Sequence, residues 1–320
     1  MADIARVLRS NLKLRHLQLL VALDQFRHLG RASAFMSLTQ PAVSKTLAEI
    51  ERLFGVPLFV RSTRGTEPTA YGHSVVRFAR SVLADFERTR DELAAVAAGA
   101  TGRVRVGMMV VASGWLTQAV QQFKQQQPLT TVLVEEGDLM RLLPRLRLGE
   151  LDLILGRLEP GYAAPDLVTE PLYDEPMVWV TAPGDPLAAQ RKPGWADLAR
   201  RACVLPPPHA SLRVKLDQQF HRHGVHPPVD LIETASFMAQ ISLLQGRQAV
   251  GVMARSVARH QAAQGLLQVL PLRVDLDLPP VGIVTLRTHM PGPGAAQFGA
   301  CARVTAPRAG RRALPRSGQR

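Results

Sequence analysis

Residues 29–53 read LGRASAFMSLTQPAVSKTLAEIERL, and this stretch decides the architecture of the N-terminal part of the chain. The pattern predicts a short helix over about 29–36, a turn through Ser37 and Leu38, and a longer helix over 40–54. Thr39 stands where an N-cap belongs, with an oxygen to accept from a free N–H of the first turn. Pro41 follows in that turn, where a missing donor costs little. Val43, Leu47, Ile50 and Phe54 recur at helical spacing and form the expected buried stripe. Gln40, Pro41, Ser44 and Lys45 are thereby left on the outward face near the helix N-terminus. Two short helices, the second showing small polar and basic groups, fit a helix-turn-helix whose second helix meets base edges in the major groove. A plain helical hairpin with a solvated face is the alternative, and the flanking segments argue against it.

Upstream, Leu14, Leu17, Leu20, Val21 and Leu23 give residues 14–25 an apolar face, a third helix to pack on the pair. Downstream, GVPLFVRSTRGTEPTAYG reads as turn, strand, Gly-tipped loop and return strand, a basic wing. Arg61 and Arg64 would lie along the phosphate backbone or in the minor groove. Residues 71–98 hold no proline, and Val75, Ala79, Val82, Phe86, Thr89, Leu93 and Val96 alternate steps of four and three. That spacing predicts a coiled-coil seam on a helix roughly 40 Å long, and hence a dimer. Gly99 to Gly102 closes the helix and opens a hinge.

The chain has 320 residues, 46% hydrophobic and 20% charged, with a net charge of +13 that favours a polyanionic partner. No apolar run approaches the roughly 20 residues of a membrane span. The N-terminus lacks the apolar core of a secretory signal, which predicts a cytoplasmic protein. Cys203 and Cys301 lie far apart without metal-ligand spacing, so two reduced, buried thiols are expected rather than a redox pair. No cofactor or metal is expected.

Beyond Gly102 strands alternate with helices: strands at 104–109, 130–136 and 151–156, helices at 115–126 and 139–148, with Pro144 predicting a kink or restart. Residues 168–182 read as a longer strand pair. Then come strands at 202–205, 229–233, 249–253, 267–270 and 280–287, and helices at 211–223, 236–246 and 255–264. Such alternation with short loops implies parallel pairing and an α/β fold.

Helix, helix-turn-helix, wing, long linker helix and α/β domain, in that order, resemble a LysR-type transcriptional regulator over about residues 12–290. The resemblance rests on Leu17, Ala32, Leu38, the run Thr39-Gln40-Pro41-Ala42-Val43-Ser44-Lys45, Leu47, Ile50-Glu51, Leu53-Phe54-Gly55-Val56-Pro57-Leu58-Phe59, Arg61, Arg64-Gly65 and Thr69. The wording of residues 14–32 and 71–83 is most similar to the branch regulating sugar and aromatic-acid catabolism. The resemblance implies a multi-domain α+β chain: winged helix-turn-helix at 1–70, linker helix and hinge at 71–102, and an effector-binding domain at 103–305. That last domain resembles a periplasmic binding protein, with lobe I at about 104–176 and 280–305 and lobe II at about 177–279. It also implies that Gln40, Pro41, Ser44 and Lys45, with Thr39 beside them, contact bases and phosphates. Arg31 would lie near the backbone and the wing in the minor groove, although Glu67 departs from the residue usual there. The implied partners are operator DNA, a small-molecule effector, a homodimer through the linker, a homotetramer and RNA polymerase.

In such a fold the ligand sits between lobes, at helix N-termini. Polar caps are expected there at Ser113, at Gly137-Asp138, at Ser211 and at Thr234 to Ser236. Asp138 would repel a carboxylate and suit a sugar or polyol, whereas His209 and Arg213 could hold an acid. Two other classes stay open at this point. A ligand-binding protein with an incidental basic N-terminus predicts no specific DNA footprint. An enzyme would need a catalytic motif, and no G-x-S-x-G, H-E-x-x-H, P-loop or Rossmann fingerprint occurs. The family resemblance ends before the C-terminus, where GAAQFGACARV can form a short helix burying Phe298 and Cys301. From Ala306 onward five arginines, no acidic residue and repeated Pro and Gly predict a disordered basic tail over 306–320.

Overall fold

The computed structural model describes residues 12–62, 65–97, 102–246, 248–287 and 291–307. The chain divides into two compact units, each taken by itself. The reading of the tail falls outside the described residues from 308 onward, as does most of the proposed hinge.

In the N-terminal unit, α1 (Leu14–Phe26), α2 (Leu29–Phe35) and α3 (Gln40–Phe54) are followed by β1 (Phe59–Ser62), β2 (Gly65–Pro68) and the long α4 (Ala70–Ala97). Val43, Leu47, Ile50 and Phe54 are buried together with Leu17, Leu20 and Leu23 of α1. Leu19 and Ala22 complete the inner face of α1, while Leu14, expected there, is exposed. The wing is an antiparallel pair in which Arg61 faces Thr66 and Ser62 faces Gly65. It is tied down at both ends. Thr66 N–H donates to the carbonyl of Arg27 at the end of α1, and the Glu51 carboxylate of α3 accepts from the N–H groups of Leu58 and Phe59. Gly65 has φ +134°, and a Cβ there would stand 2.5 Å from that same Arg27 carbonyl, so both conformation and space require glycine.

The start of α4 belongs to this core. Val76 and Ala79 are buried against it, and Arg80 pairs with Asp24 of α1 at 3.0 Å. Ala79 therefore faces inward instead of lying on an intermolecular seam. Exposed apolar side chains remain along the helix at Tyr71, Phe78, Phe86 and Leu93.

The C-terminal unit contains two five-stranded sheets. The elements of the first are β3 (Arg103–Met108), α5 (Ser113–Gln126), β4 (Thr131–Glu136), α6 (Leu139–Arg147), β5 (Leu153–Arg157) and β6 (Leu167–Tyr173). The second is built from β7 (Met177–Thr181), α7 (Pro186–Ala189), α8 (Trp195–Ala199), β8 (Ala202–Leu205), α9 (Ser211–Arg222), β9 (Leu231–Glu233), α10 (Phe237–Gly246), β10 (Ala249–Ala254), α11 (Arg255–Ala263) and β11 (Gln268–Arg273). The chain then returns to the first sheet with β12 (Val281–Leu286) and α12 (Pro293–Thr305). Strand orders are β4-β3-β5-β12-β6 and β11-β7-β10-β8-β9.

These sheets are mixed, which corrects the expectation of parallel pairing throughout. β3 and β5 run parallel, as do β10, β8 and β9, because a helix returns the chain between them. β12 is antiparallel to β5 and β6, and β7 to β10 and β11. The cause is that β6 and β7, expected as a strand pair, belong to different sheets and are joined by a three-residue crossover at 174–176. Helix α6 continues through Pro144 from Leu139 to Arg147, and its last turn closes with Leu148 N–H on the Pro144 carbonyl.

The C-terminal segment does more than sequence pattern allowed. α12 runs thirteen residues and buries Phe298, Cys301 and Ala302 against α5. Phe298 meets Phe123 edge-on at 5.4 Å, and the Trp115 indole donates to the Ala302 carbonyl at 2.8 Å. Cys203 and Cys301 are buried in different cores, so the two thiols cannot pair.

Phe298→Ala should therefore destabilise the first lobe by about 3–5 kcal/mol. Urea unfolding read by hydrogen exchange in α5 and β3 checks this, and an unchanged midpoint would mean that α12 is not part of the lobe.

Candidate functional sites

The first candidate site is the outward side of α3. The Thr39 hydroxyl accepts from Ala42 N–H at 3.4 Å, capping the helix with Pro41 in its first turn. Gln40, Pro41 and Lys45 are exposed and Ser44 is half-buried, opposite the apolar stripe. No acidic residue occurs in the first turn of α2 or α3, so the positive ends of both helix dipoles are unopposed. Arg31 on α2 and Arg61 on β1 are exposed, while Arg64 lies outside the described residues. Glu67 is exposed on β2, across from Val60. Sequence reading missed His28, whose ring Nδ1 accepts from Gly30 N–H at 3.0 Å and Arg31 N–H at 3.4 Å to cap α2. Histidine is not among the side chains expected at an N-cap, so the pattern carried no signal for it.

The second candidate site lies where the two sheets of the C-terminal unit meet. Arg157 ends β5 at the carboxyl edge of the first sheet, and its guanidinium donates to the Glu175 carbonyl at 2.8 Å. Arg255 and Ser256 follow β10 at the carboxyl edge of the second. Their N–H groups donate to the Pro176 carbonyl and, at 2.9 Å, to the Glu175 carboxylate. Both carboxyl edges thus abut one crossover, and Val111, just after β3, packs on both cores. The chain beyond β3, β4, β8 and β9 carries Ser113, Gly137-Asp138, Ser211 and Thr234 to Ser236 before or at the start of the next helix. Carboxyl ends of parallel strands are where α/β sheets bind ligands.

The hydroxyls differ in what they do. Thr234 accepts from Ser236 N–H at 3.0 Å and Ser236 from Ala239 N–H at 3.2 Å, so both shape the start of α10. Asp138 accepts from Arg141 N–H at 3.0 Å. Ser113 and Ser211, expected as caps, are instead the first residues of α5 and α9, whose N-caps are Ala112 and Ala210. Their side-chain hydroxyls make no hydrogen bond among the described residues.

Charge at these edges is largely committed. Arg213, considered above as an anchor for an acid, donates to Asp217 at 3.0 Å, to Glu233 at 2.7 Å and to the Pro206 carbonyl. Burial alone would lower its pKa, but those two carboxylates outweigh it and raise the value. His209 is exposed. On the first lobe, burial raises the Tyr162 phenol pKa, with the charges of Glu159 and Asp138 adding to it. Burial likewise pushes the Cys203 thiol up to about 12, with Asp230 adding to it, which leaves it a poor nucleophile. No group of three or more metal-ligating side chains occurs among the described residues, and no described helix is long and apolar enough to cross a membrane.

Thr234→Ala and Ser236→Ala should each lower stability by about 1 kcal/mol through loss of a turn or cap bond. Ser113→Ala and Ser211→Ala should change it by less than about 0.5 kcal/mol. Thermal unfolding of the four variants separates the two classes, and equal losses in all four would show that Ser113 and Ser211 are also structural.

Comparison with known proteins finds matches to both parts of the chain. Residues 14–73 match the model of the bacterial regulatory helix-turn-helix protein, lysR family, and residues 97–306 match the LysR substrate binding domain. The transcriptional regulator GbpR of Azospirillum brasilense is 34% identical over 311 residues, 96% of this chain and 90% of that protein. The regulator GalR of Pseudomonas putida is 31% identical over 290 residues, 90% of this chain and 73% of its own length. Among solved structures, full-length CbnR in complex with its target DNA has a TM-score of 0.69. It is 20% identical, and the match covers 92% of this chain and all of that one.

Proposed function

Since the chain belongs to the LysR family of bacterial transcriptional regulators, we propose that it reads its operator with the N-terminal turns of α3. Gln40 and Lys45 take base edges, Pro41 and Ser44 pack in the major groove, and Thr39, Arg31, Arg61 and Arg64 hold phosphates. The observation that carries this reading is the two-sided character of α3. Its apolar stripe is fully used in the core, and what remains outward is polar, basic and free of acidic groups in the first turn.

The proposed domains are 1–70 for DNA, 71–102 for the linker and 103–305 for the effector, with 306–320 as a basic tail. The effector is a small molecule held between the lobes by Ser113, Gly137, Asp138, Ser211, Thr234 and Ser236. It is a sugar or an aromatic or other organic acid, and the protein controls the corresponding catabolic operon. Asp138 and the fully engaged Arg213 favour a hydroxylated ligand over a carboxylate. Two chains pair through the exposed apolar positions of α4 and two such dimers form a tetramer, with RNA polymerase as a further partner. The protein works in the cytoplasm, and its role is regulatory rather than enzymatic.

Gel-shift titrations on a genomic fragment selected by the wild-type protein test the DNA face. Lys45→Ala and Gln40→Ala should each weaken binding by about 1–3 kcal/mol and relax sequence preference. Arg64→Ala should lower affinity more evenly and flatten its salt dependence. Wild-type affinity and preference in all three would remove α3 as the reading helix. Assembly is tested at Phe86, an exposed apolar residue of α4. Phe86→Asp should dissociate the dimer in sedimentation and, because half-site pairing multiplies affinity, cut operator binding at least tenfold (about 1.4 kcal/mol). An intact assembly in that variant would place the dimer contact elsewhere.

A further inference from the structure

Two segments join the lobes: residues 174–176, between β6 and β7, and residues 274–280, between β11 and β12. Each is bonded to both lobes. Glu175 accepts at its carbonyl from Arg157 of the first lobe and at its carboxylate from Ser256 N–H of the second. Along the other segment, the Asp275 and Asp277 carbonyls accept from Gln219 and Lys215 of α9 in the second lobe. The Pro280 carbonyl accepts from Leu158 N–H in the first. Arg157 links the two segments to each other. One arm of its guanidinium donates to the Pro279 carbonyl at 2.6 Å and the other to the Glu175 carbonyl at 2.8 Å, with the Met177 sulfur at 3.8 Å. The residue is 6% exposed.

A planar, forked cation is suited to holding two acceptors in one fixed geometry. Its position also means that a change of lobe angle, which must be absorbed by backbone rotation in the two crossovers, moves at least one acceptor away from it. Out of water, a lost bond to this cation is not replaced by solvent, so intermediate angles are disfavoured and the lobes occupy discrete arrangements. An effector acts only through its differential affinity for such arrangements.

We propose that Arg157 is the positioning residue of the effector response: it sets the angle between the lobes by locking both crossovers, and closure around the effector works through it. This rests on the reading of the facing strand ends as the effector site. It assigns to Arg157 no contact with DNA or effector.

Pulsed electron spin resonance on the full-length protein tests it without any ligand. Spin labels are placed at Val304→Cys on α12 and Met238→Cys on α10, both exposed positions on different lobes. The native Cys203 and Cys301 are buried and escape labelling. Labelled chains are diluted in excess unlabelled protein so that only distances within one chain are read. Wild type should give one narrow distance population, and Arg157→Ala a broadened or divided one. Arg157→Lys, which keeps the charge but reaches one carbonyl at a time, should fall between. A purely structural arginine would lower the melting temperature and leave the distribution unchanged, and an unchanged distribution overturns the proposal. If the Ala variant fails to fold, the Lys variant decides alone. Retention of genomic DNA by the same preparations is scored separately. Loss of it in wild type would overturn the regulatory reading and leave the distance result standing.

Discussion

One helix can satisfy two partners only if its faces are kept apart, and α3 meets that constraint. Val43, Leu47, Ile50 and Phe54 are consumed by the core, which holds the rotation of the helix about its own axis. A helix free to roll would present its polar side at no defined angle. The surroundings reinforce that rotation from both ends: Thr39 caps the N-terminus, and Glu51, one residue after Ile50, reaches across to hold the start of the wing. The wing is held in turn against the Arg27 carbonyl of α1. Helix and wing are therefore positioned by one connected set of contacts, as a surface that must match two grooves of a duplex requires.

The C-terminal unit faces a different problem, since a ligand between two lobes is useful only if the lobes have a defined relationship that the ligand can bias. The fold answers by sending the chain across twice. The crossings make β7 and β12 run against their neighbours, so the antiparallel strands are a consequence of the two-lobed plan. They also bring the carboxyl ends of both parallel sets to the same crossover. Arg157 stands at that junction with its guanidinium donating to one backbone carbonyl of each crossover. Burial lowers its pKa, with Glu159 and Glu175 acting in the opposite direction.

Much of this was legible in the sequence because it depends on local periodicity. The bounds and buried stripe of α3, its Thr39 cap, the wing and the order of the larger strands and helices all follow from neighbours a few residues apart. Features that depend on distant partners were not. Ala79 fits a heptad as well as it fits an inward contact, and only the docking of α4 on α1 decides between them. Arg213 looked like an anion anchor, yet Asp217 and Glu233 engage it, and Glu233 comes from another strand. Ser113 and Ser211 looked like caps because serine favours that place; both helices begin one residue earlier than a serine cap would require. The helices α7 and α8 are four and five residues long, too short to leave a periodic signal. α12 was underestimated because its glycines speak against a helix, whereas the burial of Ala295, Phe298, Cys301 and Ala302 on one face holds it in place. The signal that could have found Arg157 was present: an arginine closing the wholly apolar run LILG.

The central claim is that this chain recognises a particular DNA sequence through a rigidly presented α3. Selection from a random duplex library, using the full-length protein at near-physiological salt, tests it most directly. The account predicts enrichment of a dyad-related sequence with half-sites about 10 base pairs apart, or a multiple of that, as two copies of one reading helix require. Retention of DNA that disappears as salt is raised, with no sequence enriched after repeated rounds, would show basic attraction alone and contradict it.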